Sequence, residues 1–206
     1  EYLPENQFEI TVLVMGNGGE LETEFPSHVK VKNLFGEEQS TVEKIRKYIK
    51  QGRLVEVCKT ICYTHLSKKA KTVYDQELNY SKMFPVLGEE YDLAIAYHTP
   101  ASFPVVYVMN NVKAKVKAAW IHSDVMQYVK ELRPYAQYYE KYDQVYCVSK
   151  DAKERFIELY PHLAKKTSLF YNLIDDQKLH KLSEVGEGYE DNFEGQRILT
   201  VGRLTS

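Results

Sequence analysis

The chain has 206 residues, 44% of them hydrophobic and 27% charged, which is enough apolar material for a substantial core and excludes a chain disordered throughout. With 27 lysines and arginines against 29 aspartates and glutamates, the net charge of −2 speaks against a nucleic-acid binder that works by neutralising phosphates. It leaves room for a local basic patch.

Three cysteines are an odd number and suit a reducing compartment better than a disulfide scaffold. Cys58 and Cys62 stand one turn apart on a predicted helix, with no histidine or third cysteine at zinc spacing, so they read as half-buried helix residues and no metal site is expected. No apolar run is long enough to span a bilayer and no signal peptide opens the chain, so the expectation is a cytoplasmic protein.

The first predicted strand is Phe8 to Met15, FEITVLVM, rich in β-branched residues. It behaves like the second strand of a doubly wound sheet whose first strand lies upstream of Glu1. Gly16 to Gly19 then form either a phosphate-cradling loop opening a short helix from Glu20 to Glu24, or a plain turn; Leu21 stands where a dinucleotide fingerprint needs its third glycine. Val29 to Leu34 alternates apolar and polar residues as an edge strand does.

Ser40 or Thr41 caps a helix through Lys50, with Glu43 supporting its first turn and Gly52 ending it. A second helix, Leu54 to Leu66, carries Leu54, Val57, Cys58, Ile61, Cys62 and His65 or Leu66 as one stripe expected to be buried. Residues 40–71 hold nine lysines and arginines against two glutamates. They form either a solvated helix face or a patch that meets anionic lipid head groups, with Tyr48, Tyr63 and Tyr74 nearby. Tyr80 to Leu87 is expected to be a further helix.

The organising stretch is Tyr91 to Asp124. Two short apolar strands, Asp92 to Ala96 and Lys117 to Ile121, flank a helical segment from Phe103 to Asn111, and a connection of that length makes the strands parallel neighbours. Lys113, Lys115 and Lys117 are expected in a basic turn before the second strand. Polar residues follow both carboxyl ends: Tyr97, His98 and Thr99, then His122, Ser123 and Asp124. Ligands of open α/β sheets bind outside that edge, which makes His122 the first candidate.

A partly helical, tyrosine-dense region through Arg133 to Tyr142 follows, its rings packing over the sheet or lining a groove. Gln144 to Val148 is a strand, Ser149 caps a helix to Tyr160, and Pro161 stops it. Thr167 to Tyr171 is the next strand. Asn172 precedes a helix from Asp175 or Asp176 to Leu182, an acidic, glycine-containing linker covers 183–196, and Arg197 to Val201 is a last strand.

Four runs carry a resemblance: WIHSD at Trp120 to Asp124, YCVSKDAKERF at Tyr146 to Phe156, FYNLID at Phe170 to Asp175 and ILTVGRL at Ile198 to Leu204. In order and spacing they resemble the group 1, or family 4, glycosyltransferases of the GT-B fold; YDLAIAY at Tyr91 to Tyr97 is similar to the bacterial surface-polysaccharide members. The resemblance implies an α/β, Rossmann-like fold, with a mainly parallel sheet and helices on both faces, forming the acceptor-side half of a two-domain enzyme. Residues 1–182 would be that domain and 197–206 the start of the donor domain.

It further implies sugar transfer with retention from a UDP- or GDP-linked donor to a glycan or lipid-linked acceptor, without metal or cofactor; peripheral contact with the inner face of the cell membrane is an expectation from the basic helices of 40–71. His122 matches the histidine that approaches the transferred sugar and Arg203 the arginine that binds donor diphosphate; Ser123, Asp124, Ser149 and Asn172 are acceptor-side candidates. The family's first glycine-rich loop and its paired donor-domain glutamates have no counterpart here, so this segment alone is expected to be inactive. A sheet lacking its first strand has a central gap, and Arg197 to Val201 is the candidate to fill it. The alternatives are a nicotinamide-dependent oxidoreductase, which Leu21 disfavours, and a non-catalytic module docking on a membrane or partner through the basic helices.

Overall fold

The computed structural model describes residues 3–16, 24–34, 40–84, 86–185, 188 and 193–198. The chain divides into two compact units, 1–171 and 172–206. The expected loop at 16–19, apart from Gly16, and the helix after it, apart from Glu24, lie outside the described residues, as do Arg203 and residues 199–201 of the last expected strand. Arg197 and Ile198 are described, and neither is in a strand; Ile198 is 94% exposed.

In the first unit, β1 (Thr11–Val14) pairs in parallel with β2 (Lys30–Asn33) as a separate two-stranded ladder. An ion pair of Lys32 with Glu89 ties that ladder to the chain entering the main sheet. α1 (Thr41–Lys50) begins on a complete capping box: the Ser40 hydroxyl accepts from Glu43 N and the Glu43 carboxylate accepts from Ser40 N. Gly52, at φ 69°, makes the left-handed turn that leads to α2 (Leu54–Lys69).

α2 overturns the expected burial. Its buried residues are Thr60 and Ser67, whereas Leu54, Val55, Ile61 and Leu66 are exposed, and Cys58 and Cys62 are exposed rather than half-buried. The small polar face turns inward because it suits the neighbouring α3 (Val73–Ser81): Ser67 Oγ donates to Gln76 O at 3.3 Å, and Thr64 contacts Met83 Sδ at 3.7 Å. α3 also replaces the helix expected at 80–87. Thr72 caps it by accepting from Asp75 N at 3.0 Å, and it ends at Ser81, ahead of Pro85, as a residue preceding proline disfavours helical backbone.

The main sheet is all parallel, ordered β3-β4-β5-β6: Glu90–His98, Lys113–Ile121, Gln144–Cys147 and Thr167–Leu169. α4 (Phe103–Asn111) crosses from β3 to β4, and α7 (Lys150–Leu159) from β5 to β6. Lys113, Lys115 and Lys117 lie in β4 itself rather than in a turn. Alternation with apolar residues suits them to a strand; Lys115 pairs with Asp92 across the ladder at 2.7 Å, and Lys117 Nζ donates to Met109 O at 2.8 Å. The register aligns His98, Ile121, Cys147 and Leu169 in one row at the carboxyl edge.

One face of the sheet is core. Ala94, Ala96, Ala119, Ile121, Val145, Cys147 and Thr167 are buried against α4, α7 and the tyrosine-rich segment. The alanines allow α4 to approach the strands closely. On the other face the β3 residues Leu93, Ile95 and Tyr97 are 51%, 41% and 57% exposed. Between β4 and β5 lie two short helices, α5 (Val129–Leu132) and α6 (Ala136–Tyr139); α5 buries Leu132, and the rings of Tyr135, Tyr138 and Tyr139 enter the core as expected. Three buried tyrosine hydroxyls find backbone partners: Tyr139 donates to Pro100 O, Tyr142 to Val105 O and Tyr160 to Leu132 O, each at 2.7 Å.

The second unit contains α8 (Asp176–Val185), longer than the helix expected to Leu182, so that residues 183–185 of the expected linker are helical.

Candidate functional site

Parallel pairing carries one residue beyond each strand end: His122 N donates to His98 O at 3.2 Å, Val148 N to Ile121 O at 3.2 Å and Phe170 N to Cys147 O at 2.9 Å. The loops after β3, β4, β5 and β6 therefore leave from one edge. The N-termini of α4 and α7 begin there as well, with Ser102 Oγ bonded to Thr99 O at 2.7 Å and Ser149 Oγ accepting from Ala152 N at 3.1 Å.

His122 is two residues beyond Trp120 and so shares the open face of the sheet, where register places Tyr97 beside Trp120 and Trp120 beside Tyr146. The imidazole lies against both neighbours, 3.9 Å from the Tyr97 ring centroid and 4.9 Å from that of Trp120. Phe170 closes the row 4.5 Å edge-on from Trp120, whose indole N–H donates to Phe170 O at 3.2 Å. The result is an aromatic wall across the carboxyl ends of four strands with a half-buried imidazole at its rim.

Burial, and secondarily the charge of nearby His98, holds the His122 pKa below its ordinary value, so the ring is neutral at physiological pH. Its Nε2 is buried with no hydrogen-bond partner among the described residues, and the same holds for the Ser123 hydroxyl next to it. His98 Nδ1 is 3.0 Å from Thr99 Oγ1. Cys147, fully buried beneath the edge, has its thiol pushed up to about 12 by burial, which removes it as a nucleophile. Among the described residues no cluster of histidine, cysteine, aspartate and glutamate is set to hold a metal ion.

Of the residues singled out from sequence, His122 and Ser123 come together with His98, Thr99 and Tyr97. Asp124 is exposed and caps the following 3₁₀ turn, accepting from Met126 N at 2.8 Å. Ser149 is the α7 cap, Asn172 opens the second unit as an exposed residue, and Arg203 lies outside the described residues. The part played by Trp120, Tyr146 and Phe170 was missed. Its signal is the two-residue spacing of Trp120 and His122, which becomes informative only once the register with Tyr97 is known.

The fold and this edge define an α/β protein of the Rossmann-like kind with a candidate ligand site at the carboxyl ends of parallel strands. No family model and no curated protein matches the chain.

Proposed function

We propose that this chain is the acceptor-side half of a retaining glycosyltransferase that moves a sugar from a UDP- or GDP-linked donor to a glycan or lipid-linked acceptor, in the synthesis of a bacterial surface polysaccharide. In such a transfer the C1–O bond to the diphosphate breaks and a C1–O bond to an acceptor hydroxyl forms. The acceptor's proton is lost and the nucleoside diphosphate departs.

The observation that carries the reading is the neutral His122 imidazole, its Nε2 buried without a partner, held against Tyr97 and Trp120 at the carboxyl edge. A neutral imidazole both accepts from and donates to sugar hydroxyls, and aromatic faces cover the apolar C–H faces of a pyranose. Ser123 offers a second hydroxyl beside it, while Arg203 keeps its donor-diphosphate role from the resemblance alone.

The test is consumption of a panel of UDP- and GDP-hexoses by the enzyme that contains residues 1–206, with and without His122→Ala. Turnover is expected to fall about 100-fold, the scale of a lost positioned polar group in a transition-state site, with the thermal midpoint unchanged. Near-normal turnover in the variant removes the imidazole from the chemistry. If the unsubstituted enzyme consumes no nucleotide sugar, the class is wrong.

A further inference from the structure

The outer face of α2 is an apolar surface bordered by cations, and we propose that it lies on an anionic lipid surface. The inference is independent of the transferase reading, because it uses none of the residues around His122.

At about 100° per residue, Leu54, Val55, Cys58, Ile61, Cys62 and Leu66 fall within an arc of about 140° on one side of the helix. All six are exposed, Leu54 at 66% and Ile61 at 53%. The polar members of the arc are His65 and Lys69, and Lys68 and Lys59 stand at its two margins. The opposite side, with Thr60 and Ser67, is the one the protein buries. Burial of polar positions and exposure of apolar ones is the reverse of a helix whose outer face meets water.

Charge selects the occupant. The single acidic residue of α2, Glu56, lies on the far side and pairs with Arg53 at 3.1 Å. The arc and its margins carry cations only. On α1 the exposed Val42 and Ile49 alternate in the same manner with Arg46 and Lys50. Lysines flanking an apolar strip suit a membrane interface, where the stems lie along acyl chains and the ammonium groups reach phosphates. A second copy of the chain fits poorly, since pairing α2 with itself sets Lys59, Lys68 and Lys69 against cations of the same kind.

The probe is co-sedimentation of the 206-residue chain with vesicles of phosphatidylcholine, with and without about 30% phosphatidylglycerol, a fraction within the usual range for anionic membranes. Pelleting is expected only with the anionic vesicles. Lys59→Glu, Lys68→Glu and Lys69→Glu together should weaken it by about 100-fold, on the several-fold contribution of each cation near such a surface. Leu54→Glu with Ile61→Glu should abolish it while circular dichroism stays unchanged, both sites being exposed.

Absence of pelleting overturns the proposal, and so does pelleting indifferent to phosphatidylglycerol or to the lysines. So does a concentration-dependent dimer in sedimentation equilibrium that Ile61→Glu dissolves. None of these results bears on the His122→Ala assay.

Discussion

Replacing Tyr139 by phenylalanine tests whether the candidate site is held in place from beneath. Tyr139 is fully buried, and its ring packs on Phe156 at 5.0 Å between centroids, a contact phenylalanine retains. What the substitution removes is the hydroxyl that donates to Pro100 O at 2.7 Å. Pro100 is itself fully buried, in the loop joining β3 to α4 one residue after Thr99, and its carbonyl then sits in the core without a donor. Leaving a buried acceptor unpaired costs about 1–3 kcal/mol. Tyr142→Phe is the control: its hydroxyl also donates at 2.7 Å, but to Val105 O inside α4, a carbonyl that serves the helix's own ladder as well. Its loss should cost about 0.5–1.5 kcal/mol, the net value of an ordinary hydrogen bond. Urea denaturation followed by the emission of Trp120, the single tryptophan, reports on the edge directly. The reasoning is refuted if Tyr139→Phe is neutral, or if Tyr142→Phe destabilises more.

Two further outcomes follow from the same geometry. In an NMR titration the His122 ring should titrate below 6.5, because burial disfavours its charged form. Between that lowered value and about 6.5 the unfolded chain binds more protons, so the His122 contribution to stability is present above about pH 6.5 and is lost as pH falls through this window. A midpoint at or above 6.5 contradicts the burial argument. With a thiol reagent at neutral pH, Cys58 and Cys62 should react in the native protein and Cys147 only after unfolding, given its burial and a thiol pushed up to about 12. Three fast thiols in the native state would show that β5 is not where the core face requires it.

The local elements were legible in the sequence wherever a short-range interaction selects them. Ser40 with Glu43, Gly52, and Ser149 ahead of α7 act within a single turn of backbone, so residue type alone reveals them. The β3-α4-β4 unit was legible for the same reason: two apolar runs and the length between them dictate parallel pairing. His122 and Ser123 were found by position at a strand's end.

Burial was a tertiary decision wherever a segment offers two comparable faces. α2 has an apolar side and a small polar side, and the fit of Ser67 against α3 and of Thr64 against Met83 in the turn after it decided between them. In Leu93 to Tyr97 every residue is apolar or aromatic, so alternation carries no preference; α4 packs on the alanines because only they let a helix come close, which leaves Leu93, Ile95 and Tyr97 outward. The wall around His122 depends on this in turn. Tyr97, Trp120 and Phe170 are up to 73 positions apart and meet only because four parallel strands share a register, a relation that no short window of sequence contains.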